Sequence, residues 1–191
     1  TFNNNIYTYC QDVSSKDLNF LFINNKFDYV LNFSALKHVR SEENLITILR
    51  MLDVNILGLI NLLELSKKYK VKNFYSVSTD KAADPINIMG ATKKLMEKIM
   101  FSYSDYFNVT SARFANVLFS DGSLFDGIDN RILRRETIAF PKSIKRYFIS
   151  IIEAAEITLL SSIIGKNNFI YFPKTNLRKP FSIRKIVIEY M

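Results

Sequence analysis

"STDKAADPINIMGATKK", residues 78–94, sets two hydroxyls, an acid and a cation directly behind the run "NFYSVS" (73–78), then passes Pro85 into a helical pattern. That run is short and rich in β-branched and aromatic residues, so it reads as a buried strand. Asp80 and Lys81 have no place inside a sheet. Just past the end of a strand they open onto a loop, where a rigid scaffold can present them. Beyond Pro85, Met89, Leu95, Met96, Ile99 and Met100 recur at helical spacing over 89–104. The stretch is therefore the joint of a strand–loop–helix unit.

The same alternation extends in both directions. Strand-like runs lie at "IYTYC" (6–10), "YVLNF" (29–33) and "VTSARF" (109–114). Between them, "SSKDLNFLFINN" starts on serines suited to an N-cap and carries Leu18, Leu21 and Phe22 on one face. Residues 42–70 hold Leu45, Ile48, Leu49, Leu52, Ile56, Leu59, Leu63 and Leu65, the pattern of a long amphipathic helix. Strands alternating with helices predict an α/β doubly wound parallel sheet over 1–117. The rhythm then changes: a helix at "SLFDGIDNRILRR", a short strand at "TIAF", a helix at "SIIEAAEITLLSSII", a strand at "FIYFP" and a helical end at "IRKIVIEYM". Residues 118–191 read as a smaller mixed α/β region carried on the same core.

Composition narrows the classes. A chain of 191 residues with 48% hydrophobic content has room for one domain and a sizeable core. No unbroken apolar run approaches the roughly 20 residues that span a bilayer. Cys10 is the single cysteine, which removes a disulfide framework and favours a reducing compartment. The formal charge of +8 is spread along the chain rather than clustered. It suits a phosphate-bearing ligand, while the absence of any stacking-aromatic and basic motif argues against nucleic acid. His38 is the lone histidine and offers no metal set, so it reads as structural.

In a doubly wound sheet, ligands sit beyond the carboxyl ends of the strands. Asp80 and Lys81 fall at that edge. One expected part is missing. The glycines at 58, 90, 122, 127 and 165 form neither G-x-G-x-x-G nor G-x-x-x-x-G-K, so no loop here cradles a pyrophosphate in the usual way.

The blocks "NFSALKHV" (32–39), "DVNILGLINLLE" (53–64), "VSTDKAADPINIMGATKKLMEK" (77–98), "SARFANVLFSDGS" (111–123) and "KRYF" (145–148) carry a family resemblance across nearly the whole chain. Together they resemble the nucleotide-sugar 4,6-dehydratases acting on UDP-N-acetylglucosamine, the capsule-type branch of the extended short-chain dehydrogenase/reductases. The likeness extends to members of sialic-acid-like sugar pathways, where the base is UDP or GDP. It implies an enzyme that uses NAD or NADP, a cytoplasmic setting (or the cytoplasmic face of the inner membrane) and a homo-oligomer. It also implies that 1–117 is the remainder of a Rossmann-like cofactor domain, with the strand and glycine-rich loop expected upstream of residue 1.

The resemblance implies roles residue by residue. Asp80 and Lys81 are the acid and base of water loss, and Thr79 or Asp80 takes the 4-hydroxyl proton. Related dehydrogenases place Tyr and Lys one helical turn apart where this chain has Met89 and Lys93. A thioether cannot accept that proton, and the lysine holds the nicotinamide ribose. Asp12 and Val13 are implied at the adenine ring, and Phe33, Ser34, Lys37, Ser78 and Val117 at the cofactor. Lys37, Asn116 and Arg146 are implied at the substrate, with the Arg146 guanidinium suited to a diphosphate. Two other readings remain open: a 4-epimerase of the same fold, and an inactive chain that only binds a sugar nucleotide.

Overall fold

A computed structural model describes residues 5–37, 42–138, 143–174 and 179–190. Four parallel strands form the main sheet in the order β1 (Tyr29–Asn32), β2 (Asn73–Thr79), β3 (Asn108–Phe114) and β7 (Phe169–Tyr171). Two small pairs lie beside it: β4 (Asn116–Val117) with β6 (Phe148–Ile149), and β5 (Lys145–Arg146) with β8 (Phe181–Ser182). The predicted α/β doubly wound class holds. Along β2 and β3 most residues are buried and none is exposed, as expected when helices cover both faces of a parallel sheet.

One face is closed by α1 (Asn19–Asn24), α3 (Leu59–Lys68) and α4 (Ile88–Phe101). There Leu59, Leu63, Met96 and Met100 bury against Phe74 and Val109. On the other face α6 (Ile151–Ile163) covers β2 and β3 through Tyr75, Ala112 and Ile149. A Ser150–Glu153 capping box starts α6 by satisfying donors that its first turn leaves open. A third, smaller cluster joins α5 (Leu124–Leu133) to α7 (Ile183–Tyr190) through Ile128, Ile183 and Val187. Residues 118–191 therefore contribute β7 and α6 to the main sheet as well as a satellite beside it.

Several sequence expectations need correction. Residues 6–10 form no strand. None of the four sheet strands takes them as a neighbour, and Ile6, Tyr7 and Tyr9 are exposed, so their backbone groups have no ladder to join. Thr137 and Ile138 are likewise irregular, while the rest of "TIAF", like His38, lies outside the described residues.

The long helix runs from Leu45 to Lys68 but contains a π-helical stretch, Asp53–Gly58, between α2 (Leu45–Leu52) and α3. The wider turn shifts the phase. Asn55, Ile56, Gly58 and Leu59 all turn inward, while Leu45, Leu49 and Leu52, expected on the core face, are exposed. Among the described residues this helix alone is long and apolar enough to cross a membrane, by length and composition only. Its second half is packed on the sheet.

Glycine is required where α4 meets the turn after β2. A Cβ on Gly90 would stand 2.8 Å from the Lys81 carbonyl oxygen and 3.2 Å from Pro85 Cβ. Alanine normally gains about 1 kcal/mol over glycine within a helix. Gly90→Ala is nonetheless expected to lower stability by roughly 1–3 kcal/mol through overpacking. Urea denaturation measures this, and an unchanged or raised midpoint would show that the turn yields.

Candidate active site

β2 and β3 end level with one another, Thr79 opposite Phe114, and β1 stops at Asn32 opposite Ser76. The loops that follow these strands meet at one sheet edge around a cavity of about 520 Å³. Its walls carry Phe33 and Lys37 from the loop after β1, Ser78, Thr79 and Lys81 from the end of β2, and Met89 and Lys93 from α4. Asn116, Val117 and Arg146 close the other side together with the first turn of α5.

The polar turn is built locally. The Thr79 hydroxyl caps the short 3₁₀ turn Asp80–Ala82 by accepting from the Lys81 N–H at 3.4 Å. It donates to Asp80 Oδ1 at 3.0 Å, and Lys81 Nζ donates to the same oxygen at 3.3 Å. One carboxylate oxygen thus joins the hydroxyl to the ammonium. The side chains of Asp80 and Lys81 remain 46% and 35% exposed, so the described chain leaves both partly open to solvent. Asp80 touches the cavity through Thr79 and Lys81, which line it.

α4 starts at Asn87, whose side chain accepts from the Gly90 N–H at 2.9 Å, and the Glu42 carboxylate accepts from the Met89 N–H at 2.8 Å. An anion at a helix N-terminus is favourable. Met89 and Lys93 then sit one turn apart, both buried. Lys93 Nζ donates to the Val77 carbonyl at 2.8 Å and to Met96 Sδ at 3.4 Å. Burial lowers its pKa from 10.5 to about 8, opposed by the negative charge of Glu97.

Ten of the fourteen predicted site residues line the cavity: Phe33, Lys37, Ser78, Thr79, Lys81, Met89, Lys93, Asn116, Val117 and Arg146. Besides Asp80, three lie off its walls. The Ser34 N–H donates to Asn32 Oδ1 at 3.0 Å, which ties its backbone to the end of β1. Asp12 and Val13 belong to a loop fastened on the long helix. The Asp12 carboxylate accepts from the Ser14 N–H and hydroxyl and then from Arg50, which together lower its pKa to about 2. Asn61 donates to the carbonyls of Val13 and Ser15, both at 2.9 Å.

Three residues that organise the site have no counterpart in the sequence reading. Asn55 is 2% exposed and accepts from the Leu36 N–H at 2.8 Å. It donates to the Leu36 carbonyl and to Thr92 Oγ1, both at 3.1 Å, and so pins the loop after β1 to α4. Glu97 and Arg113 join α4 to β3 behind Ser78. Asn55 is a lone polar residue among the apolar positions of its helix, and that was the available signal; Glu97 and Arg113 share their elements with Lys93, Thr110 and Ser111 and gave none.

The chain belongs to a family described as polysaccharide biosynthesis proteins, whose model matches residues 1–191. It is 33% identical over 171 residues to an uncharacterized membrane protein of Methanocaldococcus jannaschii, covering 85% of this chain and 50% of that protein. It is 35% identical over 134 residues to the capsular polysaccharide biosynthesis protein CapD of Staphylococcus aureus, covering 68% of this chain and 22% of CapD. A UDP-glucose 4-epimerase of Rickettsia canadensis is 29% identical over 154 residues, with 78% of this chain and 45% of the epimerase covered.

Among solved structures, Pen from Bacillus thuringiensis superposes with a TM-score of 0.83 at 26% identity, covering 92% of this chain and 54% of Pen. A dTDP-glucose 4,6-dehydratase from Bacillus anthracis, in complex with NAD, gives a TM-score of 0.80 at 16% identity, covering 98% and 64%. The chain spans half or less of the length of the curated relatives it matches.

The titration of Lys93 has a definite sign. The unfolded chain keeps this proton to about pH 10.5, while the folded chain releases it near pH 8. Between those values the unfolded state binds more protons, so stability rises with pH. Below pH 8 the buried charge costs the fold roughly 3 kcal/mol relative to the alkaline end. Lys93→Met removes this dependence. The stability difference between variant and parent is therefore expected to shift in favour of the parent by that amount from about pH 7 to about pH 10.5. Denaturant titrations of both at the two pH values measure it, and a constant difference would show that Lys93 is not desolvated.

Proposed function

We propose that this chain is the catalytic portion of an NAD(P)-dependent nucleotide-sugar 4,6-dehydratase acting on UDP- or GDP-linked N-acetylglucosamine in surface-polysaccharide or sialic-acid-like sugar synthesis. The carrying observation is the Thr79–Asp80–Lys81 string at the end of β2, facing a cavity whose helix wall has Met89 in front of Lys93. The residues present fit the nicotinamide-ribose half of the cofactor, because a buried lysine lines the cavity beside Ser78. We place the pyrophosphate cradle outside the described residues. Bound there, the dinucleotide would take up a hydride from the sugar and return it.

The chain's own residues move the protons. Thr79 Oγ1 contacts the sugar 4-hydroxyl and passes its proton to Asp80 Oδ1 along their hydrogen bond. Lys81 Nζ, after releasing one of its own protons to solvent, removes the proton from carbon 5. Asp80 then gives its proton to the departing 6-hydroxyl, which leaves as water. Lys81 returns a proton to carbon 5 when the double bond is reduced. Lys37 and Arg146 are placed to bind the diphosphate, and with Lys81 and Lys93 they make the cavity cationic. We infer a homo-oligomer on the cytoplasmic side, where the exposed Leu45, Ile46, Leu49 and Leu52 offer an apolar surface.

A 4-epimerase is the second reading, favoured by the similarity to the R. canadensis epimerase. It needs the first proton transfer but no loss of the 6-hydroxyl, which leaves Lys81 without a task.

The test uses full-length protein with UDP-N-acetylglucosamine in heavy water. A 4-keto-6-deoxy product carrying deuterium at carbon 5 is expected, and Asp80→Asn or Lys81→Met should each slow it by about 10²–10⁴. Lys81→Met should also abolish deuterium entry. Near-normal product from both variants would sink the assignment, and a carbon-4 epimer without deuterium at carbon 5 would establish the second reading.

A further inference from the structure

Glu97 stands one helical turn beyond Lys93 on α4, and each is only 4% exposed. Its Oε1 accepts from Ser78 Oγ at 2.5 Å and from Arg113 Nε at 2.9 Å, and its Oε2 accepts from Arg113 Nη2 at 2.6 Å. Three elements, β2, β3 and α4, therefore converge on one carboxylate. The simplest account is a tie between helix and sheet, because two parallel N–H···O bonds fix a guanidinium on a carboxylate.

Two further observations carry the argument past a tie. Ser78 and Lys93 both line the cavity, so Glu97 lies directly behind its wall. The charges around Lys93 are also unbalanced. Its own hydrogen bonds go to a carbonyl and a thioether, both neutral. Lys37, Lys81 and Arg146 line the same cavity as cations, and Arg113 on β3 adds another. Asp80, beyond β2, is engaged by Thr79 and Lys81.

We propose that Glu97 is a positioning residue for this cavity: clamped by Arg113, it fixes the Ser78 hydroxyl and keeps the Lys93 ammonium charged among the surrounding cations. The opposition between burial and Glu97 in the titration of Lys93 agrees in sign. The pairing also explains why a carboxylate tolerates burial here. It has a bidentate cation on one side and a hydroxyl donor on another, so its charge is not left uncompensated. The inference needs only that Lys93 lines the cavity, not the reaction assigned above, and its test requires no turnover.

The experiment is a titration of the Lys93 ¹³Cε resonance in the lysine-labelled chain, assigned by its loss in Lys93→Arg, from about pH 6 to about pH 11. Glu97→Gln keeps the shape, removes the charge and leaves Arg113 unneutralised. The Lys93 midpoint should fall by about one pH unit, a tenfold loss of proton affinity. Arg113→Gln removes the cation and leaves Glu97 charged, so the midpoint should rise. Shifts of opposite sign are the signature. A midpoint that does not move in folded variants, or moves in the same direction in both, would reduce Glu97 to a tie between α4 and β3. Should Glu97→Gln fail to fold, the direction of the shift in Arg113→Gln decides alone. Failure of the deuterium experiment with success here would remove the dehydratase reading and leave the positioning role.

Discussion

The side chain of Asn55 is the constraint on which the site depends. It faces inward from a π-helical stretch, and its hydrogen bonds to Leu36 and Thr92 leave neither its carbonyl nor its amide unused. An unmet buried amide would cost about 1–3 kcal/mol, so the loop after β1 is held to the helix wall with some force. Lys37 comes one residue after that anchor and reaches across to the Asp121 carbonyl at 2.6 Å. The π turn and the cavity mouth are thus parts of one construction. A regular helix through 53–58 would rotate Asn55 away from Leu36 and leave the loop without its partner.

Around this frame the charges are arranged unevenly. Helix wall and sheet edge supply cations at four points of the cavity, Lys37, Lys81, Lys93 and Arg146, while Asp80 is the acid at the polar turn. Such a concavity concentrates anions, and it suits a diphosphate far better than a neutral sugar alone. Within it, Met89 is buried and carries no group that can accept a proton. The helix therefore presents a buried cation and no proton acceptor, and in the proposed reaction the proton transfers fall to the strand end. There one oxygen of Asp80 is shared by a hydroxyl and an ammonium.

Much of this was legible in the sequence, and the failures have physical causes. Periodicity located β2, β3 and α6 within a residue and α4 within three, because each buries a regular face. It failed at 6–10, where the pattern is that of a strand but no neighbouring strand satisfies the backbone. It also placed Leu45, Leu49 and Leu52 on the core face, because a period of 3.6 does not anticipate a π turn. The residues at the strand ends were readable as a site, since polar groups behind an apolar run have few other uses. Asn55, Glu97 and Arg113 were not, because their importance comes from partners 16 to 37 positions away in the chain. Asp12 and Val13 show the converse: a strand-end motif whose loop is drawn onto a helix instead.

The two walls of the cavity rest on cores of different size. Behind α4 and β2 lies a cluster of thirteen buried residues, whereas α5 and α7 share only Ile128, Ile183 and Val187. Aromatic packing of Phe119 and Phe125 against Tyr190 adds to the smaller side, where Phe119 has a left-handed backbone conformation. Cooperative opening follows buried apolar area, so the α5–α7 side is expected to have the lower opening free energy and to exchange its amide protons first. Burial is thus graded from a large cluster behind the sheet to a small one under the cap. A ligand bridging Lys93 and Arg146 would draw the two toward a single cooperative unit.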